Sequence, residues 1–181
     1  FGLPQGYTAS TLGWGYYEFK DSYDSLGLTE HYRTIADYFA AFFKNSTKLS
    51  GDSVSSFCYQ LGDGNVDHSY WNTPEAQEQQ QGVQKEYWTS STASDIAAEY
   101  AAALAINYIN FGNEEDLKYA KALLNYATRV NSVATDGPNG FYGSDDYKDD
   151  VAWAAGWLYL ATKDSTYQNI MNQNIPQYIG W

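Results

Sequence analysis

The stretch that decides the fold is SDIAAEYAAALAINYINF, residues 94–111. Its alanines and leucine favour a helix, and its apolar residues cover more than one face, which is typical of a helix covered all round. Asp95 is predicted to cap the N-terminus, with Glu99 following where the helix dipole favours negative charge. Gly112 and Asn113 are predicted to end the helix. Small side chains of this kind allow a neighbouring helix to approach closely.

The same plan recurs further along the chain. Asp149 and Asp150 precede VAWAAGWLYL, residues 151–160, which is again small and apolar. In both places a turn and a more polar helix follow. The polar helix after residues 94–111 carries the apolar residues Leu117, Ala120, Leu124 and Ala127. The polar helix after residues 151–160 opens at Thr166 and Tyr167, following a turn at Lys163 and Asp164. The repeat is loose, but it predicts an all-α fold of stacked helix hairpins, either a solenoid or a closed barrel of paired helices.

The first third of the chain adds two predicted helices. The first ends by Gly27 and the second starts after Thr29. Residues 45–53 are predicted to form a loop, residues 57–61 a short extended piece, and residues 75–84 a solvated surface. The apolar faces of the two helices are predicted from spacings of three and four residues: Leu12, Tyr16, Phe19 and Tyr23 on the first, and Ile35, Tyr38, Phe39, Phe42 and Phe43 on the second.

Composition excludes several classes of partner. The 181 residues carry a net charge of −12 with only 10 Lys and Arg, so neither a nucleic acid nor an anionic membrane surface is expected as a partner. No apolar run reaches the roughly 18 residues that a membrane span requires. The single cysteine, Cys58, is predicted to be a buried structural thiol. The 18 Tyr and 6 Trp suit either the half-apolar faces of sugars or an aromatic core, and composition alone does not separate these alternatives.

One loop combines titratable and aromatic side chains. Asp63, Asp67 and His68 lie in a glycine-containing stretch beside Tyr70 and Trp71. Loops with such residues are reasonable binding or catalytic sites. The simpler interpretation, which the residues by themselves favour, is that Asp63-Gly64 makes a turn and that His68 hydrogen bonds to the backbone.

The densest acidic run is SDDYKDD, residues 144–150. Its carboxylates repel one another unless a cation joins them, and Ca²⁺ binds such hard oxygen ligands. The alternative is a helix N-terminus that accommodates Asp149 and Asp150. The chain contains no phosphate-binding loop, no zinc-protease motif and no nucleophile elbow.

Four segments, in order, resemble family 9 glycoside hydrolases, the inverting cellulases. Residues 1–14, FGLPQGYTASTLGW, resemble the family stretch that follows its Asp-Ala-Gly-Asp motif. Residues 60–75, QLGDGNVDHSYWNTPE, resemble its Gly-Asp-Gly…Asp-His…Trp…Pro-Glu loop, which is the most specific match. Residues 94–99 resemble its Ser-Asp…Ala-Ala-Glu segment, and residues 140–164 its Phe-Tyr…Asp-Glu…Trp-Ala…Ala-Thr-Gly-Asp segment.

The resemblance implies part of an (α/α)6 barrel and hydrolysis of β-1,4-glucan with inversion. In the family, a base in the Asp-Ala-Gly-Asp motif activates water and a Glu near the end of the domain is the acid; neither is expected in this chain, so no catalytic residue is assigned here. His68, Trp71 and Tyr142 match residues of the substrate cleft. The resemblance also implies a calcium loop at Asp145, Asp146, Asp149 and Asp150, although Asp replaces the family's usual Ser, Gly and Glu.

We therefore expect residues 1–181 to be an incomplete catalytic domain, truncated at both ends, whose partners are a β-glucan and the remainder of its own domain. The first residue is Phe1 rather than Met, which suggests a trimmed start. We expect a secreted protein with no organic cofactor. The alternative is a non-catalytic glucan-binding or structural relative on the same barrel.

Overall fold

Helices dominate the computed structural model, which describes residues 2–82, 84–135 and 141–176. The resemblance at Phe1 and Gly140 therefore lies outside the described residues. The elements in chain order are α1 Gly2–Ser25, α2 Thr29–Asn45, β1 Thr47–Ser50, β2 Ser53–Leu61, α3 Gly64–His68, α4 Pro74–Gln81, β3 Glu86–Thr89, α5 Ser94–Phe111, α6 Glu114–Val130, α7 Lys148–Thr162 and α8 Ser165–Asn174.

The helix that the sequence singled out, α5, is the centre of the core. Every residue from 94 to 107 is buried, and α1, α6 and α7 pack around it. Gly112 ends it in the left-handed conformation with φ 77°, as predicted. The predicted cap at Asp95 is wrong by two positions: Ala93 is the N-cap, and the Asp95 Oδ1 instead accepts a hydrogen bond of 3.3 Å from the Ala134 amide. Burial is the main cause that raises the pKa of this carboxyl.

The helix hairpins follow the sequence pattern. The side chain of Asn113 caps α6 and that of Asp164 caps α8, so α5–α6 and α7–α8 are each joined by a tight turn. In α6 the predicted core positions Leu117, Ala120, Leu124 and Ala127 are all buried.

Two of the predicted helix faces need correction. Tyr38 on α2 is 79% exposed, and Tyr32, Ala36, Ala40 and Phe43 form the buried face. On α1, Tyr16 is buried, but Leu12 and Phe19 are exposed, and non-helical backbone angles at Phe19 break the regular spacing. On α1 the irregular backbone explains why regular spacing fails near Phe19. On α2 the buried face includes the small residues Ala36 and Ala40, which a count of large apolar residues passes over.

A three-stranded antiparallel sheet was only partly predicted. The extended piece at 57–61 belongs to β2, which lies between β1 and β3. The predicted loop at 45–53 is wrong, because β1 occupies part of it. Phe57 anchors β2 on the helices, with its ring 5.2 Å from that of Tyr126. Cys58 is buried beside it and burial raises the pKa of its thiol, which confirms a structural thiol.

Close packing between α1 and α5 depends on a glycine. A methyl group at Gly13 would lie 2.5 Å from the Cγ2 atom of Ile106. Gly13→Ala is therefore expected to lower the free energy of unfolding by about 1–3 kcal/mol, as overpacking does. Gly15, two residues on, faces open space, and Gly15→Ala is expected to raise this free energy by about 0.5–1 kcal/mol because alanine favours the helix. Urea unfolding of the purified protein checks both; the same change in both variants would contradict the packing argument.

One side of the helical layer carries an open aromatic groove of about 610 Å³. Trp14 and Trp153 rings lie 5.6 Å apart, and the Trp153 and Trp157 rings 5.5 Å apart. We call this surface the apolar face; it comprises Trp14, Tyr17, Trp153, Trp157, Leu160 and Met171 of α1, α7 and α8. Trp14 is 45% exposed and Leu160 is 42% exposed, so this large apolar surface meets solvent.

Candidate substrate-binding site

The loop after β2 is organised by Asp63. Its Oδ1 accepts hydrogen bonds from the amides of Asn65, at 3.0 Å, and Val66, at 3.4 Å, and so caps the N-terminus of α3. Its Oδ2 accepts a bond of 2.9 Å from the phenol of Tyr87 on β3. The Tyr87 hydrogen bond is the main cause that lowers the pKa of Asp63, followed by the amide bonds.

His68 ends α3 with its ring held by the backbone. The ring Nδ1 lies 2.8 Å from the carbonyl oxygen of Gly64. Because a carbonyl can only accept, Nδ1 carries the proton, and Nε2 is the acceptor nitrogen of the neutral ring. The simpler interpretation is confirmed for the backbone-bonded His68. Its turn at Asp63-Gly64 is wrong, because Asp63 is the N-cap and Gly64 the first residue of α3. The bond from His68 to the Gly64 carbonyl fixes the tautomer and orientation of an exposed imidazole.

Trp71 presents its indole ring to solvent. Its side chain is 86% exposed, the highest value among the large hydrophobic residues identified as exposed. The indole Nε1 donates a hydrogen bond of 3.0 Å to the carbonyl oxygen of His68. The polar edge is therefore bonded within the protein, while the flat faces are available to a ligand that is apolar on one side, as a pyranose ring is.

Phe141 joins this loop to the segment before α7. Its ring centroid lies 4.6 Å from that of His68. A Cβ at Gly64 would lie 2.5 Å from the Phe141 ring, so only glycine allows this approach. Phe141 and Tyr142 also line a cavity of about 480 Å³ together with Tyr7. The structure thus brings His68 and Trp71 into direct contact and connects them, through Phe141, to the cavity wall that contains Tyr142.

Sequence reasoning missed Glu99 as a member of this cavity. Glu99 is 5% exposed, and its Oε2 accepts a hydrogen bond of 3.2 Å from Ser10 Oγ. It also hydrogen bonds to Asp150, and both line the cavity. Burial, followed by the charge of Glu99, raises the pKa of Asp150. Burial is also the main cause that raises the pKa of Glu99. The only sequence signal was the spacing of four that places Asp95 and Glu99 on one side of α5.

The predicted calcium ligands do not converge. The Asp146 Oδ1 accepts the amides of Tyr147 and Lys148, at 2.8 and 3.3 Å, and the Asp146 carbonyl accepts the Ser144 hydroxyl at 2.6 Å. Asp145 is exposed, Asp149 is exposed and Asp150 faces Glu99. Within residues 2–82, 84–135 and 141–176, no three side chains of His, Cys, Asp or Glu are grouped to hold a metal ion. The carboxylates of this loop therefore do not by themselves fit calcium, and calcium binding stays a prediction.

Helix hairpins packed around α5, together with an exposed aromatic platform beside a cavity, define a helical-hairpin protein with a surface suited to carbohydrate. Comparison with known proteins gives the family. The model of glycosyl hydrolase family 9 matches residues 1–180, and this chain belongs to that family. In the part of the chain that is described, no helix has the length and apolarity needed to cross a membrane.

Relatives are identical to this chain at about a third of the aligned positions. Endoglucanase 2 of Arabidopsis thaliana is 32% identical over 188 residues, which cover 98% of this chain and 35% of that protein. An endoglucanase of Dictyostelium discoideum is 34% identical over 177 residues, covering 92% of this chain and 24% of that protein. The chain thus spans between a quarter and about a third of these relatives.

Solved structures confirm the fold. The catalytic domain of Clostridium thermocellum CelT superimposes with a TM-score of 0.93 at 39% identity, covering all of this chain and 39% of that domain. Cellulase Cel9M of C. cellulolyticum, solved in complex with cellobiose, matches with a TM-score of 0.87 at 39% identity, covering 99% of this chain and 42% of that chain. The prediction of an all-α chain forming part of an (α/α)6 barrel is confirmed for the helices, to which the structure adds the three-stranded sheet.

Proposed function

We propose that this chain is part of a catalytic domain that hydrolyses β-1,4-glucosidic bonds in cellulose or related glucans with inversion. In this proposal the chain supplies a wall of the substrate cleft through His68, Trp71 and Tyr142. The observation that carries it is Trp71, whose exposed ring has its polar edge bonded to the backbone of His68. Membership of family 9 and the likeness to endoglucanases support the reaction. The cellobiose bound to Cel9M supports the class of substrate.

The catalytic carboxylates belong, in this proposal, to the remainder of the domain. Inverting glycosidases need an acid and a base about 6.5–9.5 Å apart, so that a water molecule fits between them. Glu99 and Asp150 are instead close enough to hydrogen bond to each other, and burial raises the pKa of both carboxyls. That pair leaves no room for the attacking water, so we assign it a structural role.

The domain proposal rests on the apolar face. The CelT domain contains this fold and a further part of its chain, since the match covers 39% of it. The apolar face lies on α1, α7 and α8, and helices of the remaining domain would bury it as α1, α6 and α7 bury α5. We therefore propose that residues 1–181 form an incomplete catalytic domain whose first partner is the rest of that domain. Secretion is part of the proposal, because a cellulose fibre can be reached only outside the cell.

Trp71→Ala in the complete catalytic domain is expected to raise KM for cellotetraose about 10-fold, the equivalent of about 1.4 kcal/mol of lost stacking and contact. Trp71→Phe keeps a flat ring and should recover part of that loss. Tyr38→Ala removes an aromatic ring of 79% exposure on α2 and serves as the matched control, with no change expected. Steady-state kinetics checks this; Trp71→Ala with unchanged KM and kcat would reduce Trp71 to an exposed packing residue.

The reaction itself is tested on the unmodified complete domain. Inverting hydrolysis of a β-linked glucan releases the α-anomer first, which proton NMR detects before mutarotation. Release of the β-anomer would overturn the proposed stereochemistry. Binding of cello-oligosaccharides without release of reducing sugar would instead favour the non-catalytic glucan-binding relative.

We propose that the loop at residues 144–150 binds calcium only weakly, if at all, in this chain. Asp146 is occupied by backbone amides and Asp150 by Glu99, so few hard oxygens remain for the ion. Titration calorimetry with CaCl₂ is expected to show a Kd no tighter than about 10⁻⁴ M, with MgCl₂ as the ion control. Submicromolar calcium affinity would show that backbone carbonyls complete a site that the side chains do not.

A further inference from the structure

Hydrogen bonds connect the Tyr87 hydroxyl, through Asp63 and α3, to Trp71. Tyr87 belongs to β3, which pairs with β2 in antiparallel register, and Gln60 is its partner. From this strand its hydroxyl donates to Asp63 Oδ2 at 2.9 Å. Lys85 directly precedes β3, and its Nζ lies 4.4 Å from the Tyr87 ring centroid. The Lys85 carbonyl accepts a hydrogen bond of 2.8 Å from the Gly62 amide. The sheet therefore holds both ends of the turn that precedes α3.

The helix that follows depends on this anchor. α3 spans only Gly64–His68, and a helix of five residues has little stability of its own. Its N-terminus is capped by the Oδ1 of Asp63, the same carboxylate whose other oxygen Tyr87 holds. Rotation of that carboxylate would release the cap, so the Tyr87 hydroxyl fixes the direction in which α3 leaves the turn.

The far end of α3 orients the two side chains of the candidate site. The His68 ring is bonded to the carbonyl of Gly64, the first residue of α3. The Trp71 indole is bonded to the carbonyl of His68, the last residue of α3. Neither ring is enclosed by the core, since both residues are exposed. Phe141 contacts the His68 ring, at 4.6 Å between centroids, from one side only, so the direction of both rings depends mainly on their hydrogen bonds to the backbone at the two ends of α3.

We propose that Tyr87 is a positioning residue for glucan binding, which acts through Asp63 and α3 to aim His68 and Trp71 into the cleft. Tyr87 itself need not touch the sugar. This inference rests on the proposed function of the site. It deepens that proposal, because a residue of β3, outside the loop that carries His68 and Trp71, then affects the affinity for glucan.

Tyr87→Phe in the complete catalytic domain tests the proposal, because it removes one oxygen and leaves the ring. KM for cellotetraose is expected to rise about fivefold, with kcat within about twofold; this is less than the effect, more than about tenfold, of a hydrogen bond to a charged group that is lost directly, because the change reaches the sugar only through α3. The split arises because the binding wall shifts while the catalytic carboxylates, which lie elsewhere, do not. Tyr126→Phe is the matched control: its hydroxyl donates to the Thr92 carbonyl at 2.8 Å, away from α3. Tm is expected to fall because that hydrogen bond is lost, while KM should be unchanged.

The partner residue gives a second measurement. Asp63→Asn keeps one oxygen for the helix cap, and its amide can donate to the Tyr87 hydroxyl, so KM should stay within about twofold of the parent. Asp63→Ala loses both contacts and should raise KM at least as much as Tyr87→Phe. In Asp63→Ala, adding Tyr87→Phe should have no further effect, because the two residues act through one bond.

Hydrogen exchange of residues 64–71 separates the failure of this inference from the failure of the proposed function. The positioning role is supported if residues 64–71 exchange faster in Tyr87→Phe and at the parent rate in Tyr126→Phe. If the parent domain then neither binds nor cleaves cello-oligosaccharides, only the proposed function is overturned. Unchanged exchange at 64–71 and unchanged KM in Tyr87→Phe overturn the inference, whatever the parent's activity. A rise in KM that Tyr126→Phe reproduces also overturns it, since the effect would then be one of general stability.

Discussion

Lys44→Met is expected to lower the free energy of unfolding of the complete domain by about 3–5 kcal/mol, because it leaves a buried charge without its partner. Lys44 Nζ lies 2.7 Å from Asp116 Oδ1 and 3.0 Å from Glu115 Oε2. The Asp116 side chain is fully buried, and its Oδ2 accepts a bond of 2.7 Å from Asn107 on α5. One carboxylate therefore joins α2, α5 and α6.

The matched control is Arg33→Met. Arg33 forms an ion pair of 3.7 Å with Asp37, but the two side chains are 50% and 56% exposed. Water screens such a pair, so a change within about 0.5 kcal/mol is expected. Adding Asp116→Asn to Lys44→Met removes the stranded charge and should recover part of the loss. Urea unfolding measures all of these, and a Lys44→Met effect as small as that of Arg33→Met would show that Asp116 is not an uncompensated buried charge.

The pH dependence of this contact has a definite sign. Burial alone would lower the pKa of Lys44, but its hydrogen bonds to Asp116 and Glu115 outweigh burial and raise it above the ordinary 10.5. A raised pKa in the folded state means that the stabilisation is complete below the unfolded value and is lost as pH rises through the folded value. The charge of Lys44 therefore contributes in full at neutral pH, and its deprotonation weakens the contact only in strongly alkaline solution.

The 181-residue chain, purified alone, is expected to aggregate or to form a molten state, and to release no reducing sugar from carboxymethyl-cellulose. The apolar face is the reason. If the missing helices would bury about 400 Å² of it, their loss costs about 10 kcal/mol, which is comparable to the stability of a whole domain. In the proposed function the acid and the base lie in the rest of the domain, and each contributes about 10²–10⁴-fold, so hydrolysis by this chain alone is not expected to exceed the blank.

Leu160→Gln tests whether the apolar face is responsible. Leu160 lies on this face and is 42% exposed, whereas Leu26 is 71% exposed at the end of α1, outside it. Leu160→Gln should make the isolated chain more soluble and the complete domain less stable, and Leu26→Gln should change neither. Size-exclusion chromatography and thermal melting provide the readout. A monomeric isolated chain with a cooperative transition near that of an ordinary mesophilic domain would contradict the domain proposal.

The sequence suggested which residues belong to the candidate site, but it did not predict how they are arranged. Trp71 and His68 stand three residues apart, so a short helix and its turn were enough to bring them together. Tyr142 lies more than 70 positions further on, and only the packing of Phe141 on His68 and Gly64 connects it to the loop. The assignment of cleft residues remains a prediction, while the hairpin fold and the family are established.

Local rules gave correct results where a few neighbouring residues decide the outcome. The sequence by itself determined α5 and its end at Gly112, the turns at Asn113 and Asp164, and the buried stripe of α6, because propensity and spacing act within one or two turns. That the side chains of Asn113 and Asp164 cap the following helices was added by the structure. The exclusion of nucleic acids and anionic membrane surfaces, which rests on the acidic composition, stays a prediction.

Only the tertiary structure decided the contacts that cross long stretches of chain. It placed Asp150 against Glu99, Lys44 against Asp116 and Tyr87 against Asp63, and it paired β1 and β3 with β2. No propensity specifies such pairs, because each forms only when burial of the surrounding apolar surface repays the entropy of ordering both segments. For the same reason, the side that α1, α7 and α8 leave open became visible only once those helices were packed.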